Sequence, residues 1–363
     1  MAITREVVAP AAAPTLTVPA DISPQANYGE LKRRVKERGL LEKQTNYLLR
    51  RVTANFLMLA LSITILFLTD SLWIQIPNAL FLGFIFVQFG YVAHDVGHRQ
   101  AFRKTKPADI FGLIHAPLLI GMSYFWWMDK HNEHHAHPNE QDMDPDIDFP
   151  FIAFTEQDAR AKKGFFRWMV QNQAYLFPFL VMFESFSLRF GSIEFLLTRK
   201  SKFRWLEPLL MVLQLVWFIG LVFWALPTGA AITFIIVQQA FFGMYLASVF
   251  APNHKGMLVV DEHMNLDFML RQILTARNIR SHPLTDYWYG GLNFQIEHHL
   301  FPTLAQNKLR EAQVIIRQYC AEHRIPYYET SVGRSWIEIM QYLHQIGGAA
   351  SRLDQGNRMM HSR

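Results

Sequence analysis

A single cysteine, Cys320, in 363 residues excludes an intramolecular disulfide, and a lone thiol builds neither an iron–sulfur cluster nor a thiolate zinc site. Any metal held by this chain must rest on nitrogen and oxygen. The zinc-protease pattern H-E-x-x-H is missing, as are a His-Pro-Gly-Gly haem motif, a glycine-rich nucleotide fingerprint and any internal repeat. The N-terminal Ala/Pro run, Ala9 to Pro19, lacks the charged start and unbroken apolar core of a signal peptide, so residues 1–30 are expected to be disordered.

Lysine and arginine are absent from two long stretches. Residues 52–93 contain one acid, Asp70, and residues 205–254 contain one, Glu207. Hydrophobic residues make up 51% of the chain, with 30 Phe and 9 Trp, which argues for burial in lipid rather than for two soluble domains. Polar breaks around Asp70 to Pro77 and at Pro227-Thr228-Gly229 divide the stretches into spans at 53–72, 76–93, 205–226 and 229–250, each near the ~20 residues that cross the hydrocarbon core. The sequence predicts an all-α integral membrane protein with four transmembrane helices in two hairpins and one domain over 31–345, followed by a flexible tail, 346–363. Basic residues crowd the flanks, so both termini and the central segment are expected in the cytoplasm. Ile110 to Trp127 and Ala174 to Phe190 are apolar, but as spans they would reverse the order of the segments that follow, and they read as interfacial or re-entrant. The basic stretch from Leu31 to Arg38 reads as a cytoplasmic topology anchor, in preference to a site for anionic lipid headgroups or an acidic partner.

Histidine is what this chain has in quantity and in pattern. His94-x-x-x-His98, His131-x-x-His134-His135 and Gln295-x-x-His298-His299 each set imidazoles at i, i+3 or i+4, on one face of a helix. The predicted topology puts all three clusters on the cytoplasmic side. Seven ligands exceed the three or four that one structural or hydrolytic zinc uses, and the Glu-x-x-His pairs of soluble di-iron bundles are missing from the apolar helices. A histidine-dominated site for two metals remains. Among the lone histidines, His115, His137, His263, His282 and His323 read as structural or surface groups, His137 because it points about 200° away from His135 on a continuing helix and precedes Pro138. Asp95, Asn293 and Gln295 are read as holding the outer nitrogens of the imidazoles, with Glu133 and Glu297 either sharing that role or marking solvated faces. The aromatics Tyr124, Phe125, Trp126 and Trp127 read either as the mouth of a substrate channel or as an interfacial belt.

The order H-x-x-x-H, H-x-x-H-H, Q-x-x-H-H, with Gly290-Gly291-Leu292-Asn293 before the third box and Leu300-Phe301-Pro302 after it, resembles the membrane fatty-acid desaturases, nearest the acyl-lipid, linoleoyl-CoA and front-end types. The resemblance implies two non-haem irons, O₂ activation and removal of two hydrogens from adjacent methylenes of an acyl chain, giving a cis double bond. A hydroxylase on the same scaffold is the alternative. It also raises His254, at the end of the last span, to an eighth metal ligand. Phe250 stands where some animal relatives have an asparagine. With no haem or nucleotide motif present, electrons are expected from a separate ferredoxin or cytochrome b-type protein. The substrate is a lipid- or CoA-linked acyl chain, and no nucleic-acid partner is expected. A metal transporter would need ionisable residues inside the spans, where this chain has only neutral groups such as Gln88, Gln238 and Gln239.

Overall fold

The computed structural model describes residues 22–23, 25–199 and 201–361, with side chains through Ala350. Most of the N-terminal segment expected to be disordered lies outside the described residues. An amphipathic helix, α1 (Tyr28–Glu37), leads into the two longest apolar helices of the first half, α2 (Thr45–Leu68) and α3 (Leu72–Gly97). Helix α4 (Thr105–Leu113) widens into a π-helix over Ile114–Ile120, and the chain then turns by 107° into α5 (Tyr124–Ala136). Three short helices follow, α6 (Glu156–Ala161), α7 (Gly164–Gln171) and α8 (Gln173–Leu180), then α9 (Glu184–Thr198). The second apolar hairpin is α10 (Leu206–Ala225) and α11 (Thr228–His254). The rest is α12 (Phe268–Leu274), α13 (Pro283–Trp288), α14 (Gln295–Leu300), α15 (Leu309–Glu322) and α16 (Val332–His361), with β1 (Asn278–Ile279) and β2 (Glu329–Thr330) paired in parallel.

Helices α3 and α11 form the centre. They pack more extensively than any other pair, and Gly83 makes this possible, since a Cβ there would stand 2.9 Å from Phe241 and 3.1 Å from the Gln238 carbonyl. Helices α2 and α10 lie outside and leave Leu57, Leu61, Leu68, Val212, Val216 and Trp224 exposed, the pattern of a lipid-facing surface. Polar side chains between α2 and α3 are partnered, as a site without water requires: Asn78 accepts from Ser62 at 2.7 Å and donates to its carbonyl at 3.0 Å.

Two segments differ from the sequence reading. The run 174–190 belongs to a helical stretch, Gln173–Thr198, of 26 residues, long and apolar enough to cross a membrane and the fifth such stretch among the described residues. The tail expected from 346 is instead, through His361, the end of α16. Ile339, Leu343, Ile346 and Ala350 continue one apolar stripe and are buried. Gly347 reads locally as a helix breaker, yet it is needed for packing, because a Cβ would meet the Val170 carbonyl at 2.7 Å.

Candidate metal centre

Each histidine box is carried by an element that is fixed from outside. His94 and His98 end α3, the most deeply packed helix. Box two lies on α5, whose start is capped twice: Ser123 accepts from the Trp126 N–H at 3.1 Å, and the buried Glu207 carboxylate accepts from Ser123 Oγ at 2.9 Å and the Phe125 N–H at 3.2 Å. Box three occupies the six-residue helix α14, too short to hold itself. Asn278, set by the β1–β2 pairing, accepts from the Ile296 N–H at 2.9 Å and donates to Glu297 at 2.6 Å.

These elements bring eight imidazoles together. Nε2 of His94 lies 3.2 Å from that of His298, and Nε2 of His135 lies 3.1 Å from those of His131 and His298. His98 and His131 meet at 2.9 Å, also through Nε2. A second group consists of His134, His254 and His299. In this group, as in the set His94, His98, His131 and His298, one ligand atom per residue lies within 4.8 Å of every other, near the ~4.2 Å that separates opposite nitrogens around one ion at about 2.1 Å.

Outer hydrogen bonds decide which nitrogen faces inward. His134 Nδ1 donates to Asp144 at 3.0 Å, His254 Nδ1 to the Thr275 carbonyl at 3.0 Å, His299 Nδ1 to Gln272 Oε1 at 2.9 Å, and His94 Nδ1 to Asp95 at 3.4 Å. With their protons outside, these rings turn bare Nε2 lone pairs toward one another. Lone pairs at such distances repel unless a cation sits between them. The buried His299 Nε2 has no partner in the protein, which is what an inward-facing ligand atom would show. Burial and the neighbouring imidazoles also push His98, His298 and His299 well below the usual histidine range, which keeps them in the neutral, ligating form.

The structure sorts the remaining candidates. Asp95 touches His94 and is bound by Arg51 Nη1 at 2.6 Å. Gln295 accepts from Asn253 at 3.0 Å, and its amide nitrogen lies 2.9 Å from His254 Nε2, the inward nitrogen, rather than at the outer nitrogen it was expected to hold, which Thr275 takes instead. Asn293 contacts no histidine; it donates to Asp286 at 2.8 Å and fixes the loop before box three. Glu133 is exposed, whereas Glu297 is fully buried, accepts from Asn278 and from Tyr327 at 2.7 Å, and burial pushes its carboxyl up to about 7. Of the aromatics, Trp127 stacks on His131 at 4.5 Å. Tyr124 is buried against Gly112 and Trp126 packs on Gly191, so these two serve packing. His137 pairs with Glu140 at 2.8 Å, outside the cluster. Asp144, Gln272 and Thr275 escaped the sequence reading. Asp144 sits in an acidic run, Asp142 to Asp146, nine residues past His135, a usable signal, while Gln272 and Thr275 carry none.

Comparisons with known proteins agree with this geometry. The family model described as fatty acid desaturase matches residues 71–331. The chain is 29% identical over 321 residues to an acyl-lipid (9-3)-desaturase of Physcomitrium patens, covering 86% of this chain and 61% of that protein. It is 28% identical to a Delta(6)-fatty-acid desaturase of Caenorhabditis elegans, covering 83% and 70%, and 30% identical to a Delta(8)-fatty-acid desaturase of Euglena gracilis, covering 77% and 69%. The chain thus spans about three-fifths to seven-tenths of the length of these relatives.

Proposed function

This chain belongs to the fatty acid desaturase family and is an integral membrane protein, and from that premise we propose that it is an O₂-dependent fatty-acyl desaturase, which forms a cis double bond in a lipid- or CoA-linked acyl chain. The observation that carries the reading is the convergence of eight imidazoles, four of which, His94, His134, His254 and His299, have their outer nitrogens tied off. His94, His98, His131, His135 and His298 would hold one iron, and His134, His254 and His299 the other. The two irons, when bound, supply the O₂ activation that unactivated methylenes require, since no side chain is basic enough to attack them. The protein's part is to fix the ligand rings from behind, through Asp144, Gln272, Thr275 and Asp95, and to keep the pocket dry with Trp127 and α3. Relatives named as desaturases of acyl lipids and fatty acids leave the hydroxylase reading without support of its own.

Four membrane crossings fit the site best. His94 ends α3 and His254 ends α11, so an even number of crossings must separate them. Helices α10 and α11 supply two, and a lone crossing by Gln173–Thr198 would put His254 on the far side. We therefore read that stretch, like the bent α4–α5 pair, as re-entrant or interfacial, with the termini and boxes in the cytoplasm. Electrons come from an external donor in this reading. Helix α1 exposes Lys32, Arg33, Lys36 and Arg38, a surface suited to an acidic ferredoxin or small haem protein, with a rate that falls as salt rises.

The test is expression in a host with simple fatty acids, with mass spectrometry to locate new double bonds and metal analysis of the purified chain. Two irons per chain and a new double bond are expected. One tightly held zinc with no loss on iron chelation, or hydroxylated product alone, would overturn the assignment.

A further inference from the structure

A cavity of about 450 Å³ opens beside the metal centre, lined by Arg51, Gln88, Tyr47, Tyr287, Phe294 and Arg310 among others. Its size falls in the range of about 300–1,000 Å³ typical of small-molecule sites. Gln88 brings α3 to its wall, and Tyr91 and Asp95 follow on the same helix face at i+3 and i+7. Gly291 also lines the cavity, and Gly290 packs next to it against Tyr91. Gly290 and Gly291 both have positive φ, at 57° and 81°, and a Cβ on the first would strike the Tyr91 ring at 2.5 Å and on the second Gln306 at 2.4 Å.

Arg51 is the unusual group in this wall. Its side chain is only 14% exposed, its guanidinium lies 5.8 Å from the Tyr47 ring and 6.0 Å from the Tyr91 ring, and its one hydrogen bond goes from Nη1 to Asp95. A guanidinium carries five N–H donors in a fixed fork. The others have no acceptor among the described residues, and because Arg51 lines the cavity they are available to an oxygen of a ligand bound there.

On the desaturase reading, we infer that Arg51 binds the carbonyl oxygen of the acyl substrate and so sets which methylenes reach the histidines. Asp95 joins the two ends of this arrangement: it holds Arg51 at 2.6 Å and His94 at 3.4 Å. Because one carboxylate joins Arg51 to His94, a carbonyl held at Arg51 puts the carbonyl end of the chain, rather than its methyl end, on the side of the metal ligands. The carrier leaves by the rim, where Arg310, 60% exposed, pairs with Asp286. The carbonyl is common to a glycerolipid ester, a CoA thioester and a free acid.

Equilibrium binding of oleate, oleoyl-CoA and dioleoylphosphatidylcholine to the purified, iron-loaded full chain separates these carriers and does not depend on turnover. Arg51→Gln is expected to weaken at least one of the three by tenfold or more and to raise KM rather than lower kcat, with iron content unchanged. If Arg51 merely neutralises Asp95, the double variant Arg51→Gln/Asp95→Asn recovers wild-type binding; if Arg51 holds the substrate, it does not. Should Arg51→Gln lose iron, Arg51→Lys carries the test, since it keeps a charge opposite Asp95 but not the fork. Wild-type binding of all three probes by the iron-replete variant, or recovery in the double variant, would overturn the proposal. Arg51-dependent binding without a new double bond in any product would sink the desaturase reading and leave the binding site standing.

Discussion

His254 and His137 are equally prominent in a count of histidines, yet the fold treats them oppositely. His254 is buried with its outer nitrogen on the Thr275 carbonyl and its ring 4.7 Å from those of His134 and His299. His137 is bound to Glu140 outside the cluster. His254→Ala is expected to abolish product and to lower bound iron, whereas His137→Ala retains most of both, measured on equal amounts of folded protein. The partners behind the ligands matter nearly as much. Gln272 accepts from His299 and donates to the His135 carbonyl at 3.1 Å, so Gln272→Leu frees two ligand-bearing elements at once. Loss of such support typically costs 10–100-fold in metal affinity, and a chelator titration of the iron-loaded variant should show it; unchanged iron retention would remove Gln272 from the site. The seven box histidines were legible because helical spacing is a local signal, and His254 only through the family resemblance. Gln272 and Thr275 were not, because they reach the cluster from a segment more than 130 positions beyond box two, with neither periodicity nor motif to mark them.

Elements were legible where lipid imposes a composition. The long apolar helices α2, α3, α10 and α11 follow from stretches without cations, with boundaries displaced by a few residues because a helix runs past the hydrocarbon edge into its caps. Helix α16 was not legible from 346 onward, since Gly347-Gly348 and Ala349-Ala350 look like a tail until Val170 is placed against them. What locks α16 to the core is an ion pair that no pattern announces: Arg277 Nη1 to Glu338 at 3.0 Å, with both side chains at most 1% exposed. Arg277 also donates to the Lys255 carbonyl at 2.7 Å, and so ties α16 to the segment that follows His254. Removing one partner of such a pair leaves a buried charge unmatched, at a cost of about 3–5 kcal/mol. Glu338→Gln should therefore lower the unfolding temperature in detergent and release iron at a lower temperature than wild type. A variant as stable as the parent would show that α16 is held by its apolar stripe alone.

At the scale of the whole molecule, the proposed parity of crossings between His94 and His254 can be tested, and the lone cysteine offers a way to measure it. Cys320 is fully buried in α15, and burial pushes its thiol up to about 12, so at neutral pH it is neither ionised nor accessible and stays silent toward maleimide. Single cysteines at exposed positions can then be read against a quiet background. Asp70→Cys and Thr228→Cys change exposed residues at the tips of the two apolar hairpins, whereas Glu37→Cys, Gln157→Cys and Glu262→Cys change exposed residues that the four-crossing proposal puts on the side of the histidines. If four helices cross, a membrane-impermeant reagent added to sealed, right-side-out cells labels the first pair and spares the other three. Thr198→Cys, at the exposed end of α9, decides the remaining question, because it follows the stretch Gln173–Thr198 that is long enough to cross. Protection of Thr198→Cys together with Gln157→Cys is expected, since opposite exposure of the two would place an odd number of crossings between them. Labelling of Thr198→Cys alone from outside would mean that this stretch spans, and the joint site of His94 and His254 would then require a further crossing between Thr198 and His254.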